Sequence, residues 1–314
     1  MAQRPLKVGC FIPIVQSEMD GGSATAAQVI EMARQAEAAG FDSVWVPDHL
    51  TIFDPGSDPK GAWEMGAVLG ALTVATDRIE IGTLVAATSF RPPALLAKMA
   101  VTIDALSGGR FILGLGAGRH EPEHIAFGIP YHKQISRFAE ALEIITRLIR
   151  TGYCDFHGEY YTVRDCEIRP REGRQGGPPI LIGALGTGPR VLELTARYAD
   201  MWNAWLTWGS SWPEAVPPLR QIVDDACTRV GRDPISLART VAILVKVPGV
   251  KSRHVSTAPD GGGRPLEGSP EEIAAALRQF AVEGISEVQV ICAPNSAEGI
   301  ANFKTVLDVL DSRL

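Results

Sequence analysis

Residues 110–124 read RFILGLGAGRHEPEH and match two motifs that would place the chain in different folds. A dinucleotide-binding turn needs GxGxxG opening directly into a helix, because the last glycine lets helix and strand pack closely. Gly114 and Gly116 fit that pattern, but Arg119 holds the third position. A polar loop with Pro122 and Pro130 follows, and helical periodicity resumes only near Ser136. The HEPEH run spells the HExxH of zinc peptidases, which needs both histidines on one face of a continuous helix. Pro122 breaks that requirement. At a helix start it leaves His120 outside, and in the interior it costs the helix about 3 kcal/mol. Neither motif stands, no third metal ligand is signalled downstream, and no metal site is expected. What remains is a buried strand, 110–116, ending in a polar loop.

Working outward, short β-branched runs alternate with stretches of helical period, the pattern of βα units around a parallel sheet. Strands are expected at 6–12, 41–47, 78–86, 110–116, 179–184, 201–205, 240–247 and 287–293. The first helix is expected from Ser23 as N-cap to Gly40 as stop, and Pro92-Pro93 suits the first turn of the third. The segment 136–150 carries Phe138, Leu142 and Ile145 on one helical face. Residues 151–179 read as a hairpin with its turn at His157-Gly158, and Ser269 caps the helix that precedes the last strand. Eight strands, each followed by a helix, predict a (β/α)8 TIM barrel, with insertions after strands two, four and seven and a hairpin before strand five. One domain is expected over 1–314. That length suits a barrel better than an ordinary domain of about 100–200 residues.

Composition narrows the partners. The net charge of −6 comes from scattered carboxylates and gives no electrostatic footprint for nucleic acid or an anionic membrane, so a small-molecule substrate is expected. Five cysteines, far apart and never in CxxC, point to neither a disulfide framework nor structural zinc, and fit a reducing cytoplasm. No signal-peptide pattern is seen, nor any run of about 18 apolar residues that would cross a bilayer.

In a barrel of this kind the chemistry gathers at the C-terminal ends of the strands. There the sequence places Asp48-His49, Ala87-Thr88-Ser89, Gly118-Arg119-His120-Glu121, the turn GALGTGPR at 183–190, and Trp202-Asn203. His49 titrates near neutrality beside a carboxylate and is the best candidate for proton chemistry, although a structural histidine reads the same way. His132, His157 and His254 read as solvated. In the GALGTGPR turn, backbone N–H groups at a helix N-terminus and the charge of Arg190 suit a phosphate, and a plain βα turn fits equally. Trp202, Trp205, Trp208 and Trp212 suit a pocket wall or core packing, and Phe53 suits the barrel mouth or its rim.

These residues resemble a known family. AAGFDSVWVPDHL, IGTLVAATSFRPPALLAKMAVTIDALSGGRFILGLGAG, HEPEHIAFGIP, SRFAEALEIITRLI, PPILIGALGTGPRVLELTARYADMWN and VQVICAPNSAEGIANF are similar, in order and over nearly the whole chain, to the bacterial luciferase-like flavin or deazaflavin oxidoreductases. The resemblance implies a barrel that binds coenzyme F420 or FMN, ring at the mouth and phosphate at the strand-five turn. It implies that Asp48 contacts the cofactor and that His49 serves as proton donor or substrate holder. It further implies a non-prolyl cis peptide at Leu84-Val85 behind the ring. Ala87, Ala117 and Gly118 would line the cofactor, with Gly186, Thr187, Gly188, Arg190 and Val191 at its phosphate end. Sugar-phosphate dehydrogenases of the family carry a glutamate directly after the strand-four GxG and a tryptophan in the strand-two loop. Arg119 and Phe53 depart from that, argue against that substrate, and leave Glu121 as a weak acid/base candidate. The implied function is F420-dependent hydride transfer to or from a small organic substrate. An FMN- and oxygen-dependent monooxygenase and a non-catalytic flavin-binding barrel are the alternatives. The family's habit of dimerising implies a homodimer.

Overall fold

The computed structural model describes residues 4–19, 22–53, 56, 58–184, 188–252 and 263–312. Eight parallel strands close into a cylinder: β1 Lys7–Phe11, β2 Ser43–Val46, β3 Glu80–Thr83, β4 Phe111–Gly116, β5 Ile180–Ala184, β6 Met201–Trp205, β7 Ala238–Lys246 and β8 Glu287–Ala293. Each strand pairs with its neighbours in sequence. The ring is closed by β1 against β8 (Lys7 opposite Glu287) and by β5 against β4 (Ile180 opposite Leu113). A two-residue strand, Ala86–Ala87, continues beyond β3 along the end of β4. The TIM barrel expected from the βα repeat is therefore the fold.

Helices α1 Ala26–Ala39, α2 Met65–Ala75, α3 Pro93–Leu106, α4 Glu121–Ala126, α5 Gln134–Thr151, α6 Pro189–Tyr198, α7 Val216–Arg229, α8 Pro270–Val282 and α9 Ala297–Asp311 occupy the connections. Local chemistry sets their ends. Thr25, not Ser23, caps α1, because Gln28 at the third helical position completes a reciprocal capping box with it; Gly40 stops the helix with φ of 95°. Ser269 and Glu272 form the same box at α8. The long loop expected after β4 is a correction: it contains α4, whose six residues are too few to show a period. The hairpin before β5 is present as Tyr153–His157 paired with Thr162–Glu167, its tip held by the Gly158 N–H donating to Tyr161 O.

Two cores follow from the alternation of side chains along each strand. The larger fills the space between sheet and helices. The smaller fills the cylinder itself, with Phe11, Trp45, Ile112, Leu181, Leu244 and Ile291. Low in the cylinder the Trp45 ring lies so close to Gly9 and Gly82 that a Cβ at either would approach it within 2.5 and 2.3 Å. Trp45 Nε1–H donates to Ser43 Oγ (2.7 Å) and Glu287 Oε1 (3.0 Å), and Ser43 Oγ–H donates to the same carboxylate (2.5 Å). Above them Asn203 Nδ2 donates to Thr240 Oγ1 and Gln289 Oε1, each at 2.9 Å. The lower barrel is thus a packed plug, and what space there is lies at the C-terminal ends of the strands. Among the described residues no helix is long and apolar enough to cross a membrane.

Candidate active site

A cavity of about 500 Å3 opens where β2 to β6 end. Its walls are mostly apolar: Leu84 and Val85 after β3, Phe90 beyond them, Ile135 and Phe138 from α5, Val191 from α6, Trp205 at the end of β6 and Trp208 after it. One wall is a ribbon of nearly bare backbone. A Cβ on Gly116 would come within 2.7 Å of Val85 Cγ2, and one on Gly183 within 2.9 Å of Val85 Cγ1. Only glycine leaves room there for Val85 to press against the strand ends. The Leu84-Val85 peptide is cis.

Two carboxylates enter this apolar space, and both are saturated with donors. Asp48, 4% exposed, accepts Arg91 Nη1 (2.6 Å) and Nη2 (3.1 Å) as a bidentate pair and the Ala87 N–H (2.9 Å). Arg91 also donates to Glu64, which caps α2 through the Ala67 N–H. The end of β2, the Ala86–Ala87 strand and the start of α2 are tied together in this way. Glu123, 1% exposed, accepts the Leu50 N–H (3.0 Å) and lies 3.2 Å from His49 Nδ1. A carboxylate only accepts, so Nδ1 carries the hydrogen and Nε2 is left for the cavity. Burial works against a charged His49 ring, but the hydrogen bond and charge of Glu123, with Glu18 and Asp48 further off, outweigh it and hold its pKa above the ordinary value. Burial likewise works against an ionised Glu123, and His49 with the Leu50 and Thr51 N–H groups outweighs it, keeping that carboxyl below its usual range.

Of the residues singled out from the sequence, Asp48, His49, Leu84, Val85, Ala87, Ala117, Gly118, Gly188 and Val191 converge on the cavity. Gly186 and Thr187 lie outside the described residues, as does His254. Two other candidates are not among the lining residues. Glu121 is exposed at the start of α4 and does not line the cavity; Glu123, two residues on, faces His49 instead. Arg190 is exposed and donates to Ser136 Oγ (3.0 Å) rather than reaching the cavity. Of the aromatics, Trp205 and Trp208 are wall residues, Trp202 is core, and Phe53 stacks on His120 at the rim with ring centroids 6.4 Å apart. The HEPEH histidines are turned to structural work: His120 Nε2 accepts the Phe53 N–H, while His124 meets His120 O and Ser89 Oγ. Glu123 was the residue missed. The signal was present, since Pro122 early in a helix puts Glu123 at the third helical position, in the turn facing the strand ends.

A closed barrel with an apolar mouth, a donor-saturated aspartate and a carboxylate-held histidine defines a class of small-molecule enzyme sites. Residues 6–248 match the sequence profile of the luciferase-like monooxygenases, and the chain belongs to that family. It is 34% identical over 175 residues to the pyrimidine monooxygenase RutA of Enterobacter sp. (strain 638), a match covering 54% of this chain and 47% of that protein. The chain thus matches about half the length of such curated relatives. Among solved structures it resembles an F420-dependent secondary alcohol dehydrogenase in complex with an F420-acetone adduct (TM-score 0.79, 19% identity, 98% of this chain and 99% of the other). It also resembles a riboflavin lyase with modified FMN and riboflavin (TM-score 0.79, 15% identity, 98% and 92%). At such identities these two likenesses concern the fold.

Proposed function

We propose that the protein is an oxidoreductase that uses coenzyme F420 to move hydride to or from a small organic substrate in this cavity. The observation that carries the reading is His49, held through Nδ1 on a buried carboxylate at the wall of a mostly apolar pocket. The residues fit a flat heteroaromatic ring. The glycine ribbon at Gly116 and Gly183 offers close approach to backbone, Val85 offers an apolar face behind it, and Trp205 Nε1–H is buried without a partner among the described residues. When bound, the cofactor would supply the hydride or accept it, according to the direction of the reaction. The chain supplies the rest. Leu84, Val85, Ala87, Ala117 and Gly118 would hold the ring, and Gly188 and Val191, at the N-terminus of α6, would receive its phosphate end, where the helix favours an anion.

His49 Nε2 gives a proton to the substrate oxygen when hydride arrives at carbon, or takes one when hydride leaves. Glu123 fixes the ring's orientation and favours its charged form. The apolar wall excludes water and keeps that exchange local. The fold is shared with an F420-dependent dehydrogenase, which makes F420 the first cofactor to test.

The second reading is an FMN- and oxygen-dependent monooxygenase, favoured by the 34% identity with the pyrimidine monooxygenase. Titration of the apo-protein with F420 and with FMN, followed by fluorescence, separates the two. F420 binding at least about tenfold tighter than FMN is expected. The reverse preference establishes the second reading, and failure to bind either ends both.

A further inference from the structure

We propose that Arg119 anchors a carboxylate of the substrate, so that the enzyme acts on small apolar acids. Every other charged group lining the cavity is already matched: Asp48 by Arg91 and the Ala87 N–H, and His49 and Glu123 by each other. Arg119 alone brings a charge to the lining without a carboxylate partner among the described residues. Its position is nonetheless fixed. The guanidinium carbon stands 4.4 Å from the centroid of the Trp208 ring; Trp208 meets Trp205 edge-on at 6.5 Å, and Trp205 meets Phe11 edge-on at 6.3 Å inside the barrel. The Tyr131 hydroxyl donates to the Arg119 carbonyl oxygen (2.9 Å) and ties down its backbone. A ladder of rings therefore runs from the cylinder to the rim and ends in a planar cation to which the described residues bring no carboxylate. Stacking occupies the face of a guanidinium and leaves its fork of N–H donors for a planar oxyanion.

The chemistry of the ligand follows from this distribution. An apolar body fits against the aromatic ladder, outside the ring that Val85 would back, and an anionic group at its outer end meets Arg119. A neutral polar head would leave the cation unmatched, and a cationic head would be repelled. The inference deepens the oxidoreductase reading and rests on it in taking the cavity as the substrate's. The same fork could serve an anionic group of the cofactor, and the test separates these two sources.

The test uses two probes of equal size, 3-phenylpropionate and the uncharged 3-phenylpropanamide. Their affinities are measured by isothermal titration calorimetry, with and without saturating F420 or FMN, for the wild type, Arg119→Gln and Arg119→Lys. The acid is expected to bind the wild type roughly tenfold tighter than the amide. Arg119→Gln is expected to abolish that preference and Arg119→Lys to keep part of it, while cofactor affinity changes less than twofold in both. Equal binding of acid and amide by the wild type overturns the proposal, as does a preference that survives Arg119→Gln. Cofactor affinity that falls in step with the acid's also overturns it, by assigning the anion to the cofactor. An acid preference lost in Arg119→Gln, in a protein that binds neither F420 nor FMN, upholds the anion site and sinks the oxidoreductase reading instead.

Discussion

His49 is held by one nitrogen and, under the proposed reading, works with the other, and the two halves of that arrangement can be separated by substitution. His49→Ala removes the proton-exchanging atom while leaving the glycine ribbon and Val85 in place. Turnover is expected to fall roughly a hundredfold to ten-thousandfold, with cofactor affinity little changed, as steady-state kinetics and a binding titration would show. Glu123→Gln keeps an acceptor for the Leu50 and Thr51 N–H groups but removes the charge that raises the His49 pKa. In the direction that needs a protonated His49, activity falls as pH rises through that pKa, which stands above the ordinary 6.5. The substitution is expected to move this alkaline limb to lower pH and to reduce kcat about tenfold to a hundredfold through lost orientation. An unchanged pH–rate profile would mean that Glu123 is only scaffolding. His49 was legible in the sequence because it stands beside Asp48 at a strand end. Its partner was not, because the two are 74 residues apart and no local pattern records a contact of that kind.

At the scale of elements, the strand ends decide what space the mouth keeps. Gly114 and Gly116 are two residues apart on β4 and differ in what a side chain would meet. A Cβ at Gly114 would lie 1.9 Å from the Thr83 carbonyl oxygen, which belongs to the sheet, whereas at Gly116 it would press on the Val85 side chain. Gly114→Ala is therefore expected to lower stability by several kcal/mol, roughly 3 or more, in denaturant unfolding. Gly116→Ala is expected to fold with a smaller loss and to weaken cofactor binding about tenfold, because Val85 gives way into the cavity. The strands themselves were readable. MWNAW and EVQVICA occupy the residues expected, since β-branched and aromatic runs bounded by turn residues leave little choice. Short elements set by long-range contacts were not readable. Helix α4 is held in place by Glu123 and His124 binding across to the β2 and β3 loops, and neither contact leaves a period in six residues.

Over the whole molecule, the plug beneath the cavity couples folding to pH. Glu287, 1% exposed, has its pKa pushed up to about 7 by burial, against the opposing hydrogen bonds from Ser43 and Trp45. A carboxyl whose folded pKa lies above the unfolded value of 4.5 binds its proton more tightly in the native state. The stability this brings is complete below pH 4.5 and is lost as pH rises through 7, an effect on the order of 3 kcal/mol. The melting temperature is expected to fall between pH 5 and 7.5, and Glu287→Gln to flatten that slope. Glu18, raised to about 7 largely by burial, leaves a residual slope of the same sign. The same stopper has a kinetic corollary. With Trp45, Asn203 and Gln289 filling the axis, the described residues close the barrel floor, and the pocket opens at the strand ends. Under the proposed reading the redox partner takes the inner berth and the substrate the outer. Arrival is then compulsory in that sequence, the departing product must clear the threshold before the spent cofactor can follow, and excess substrate should trap the cofactor behind it.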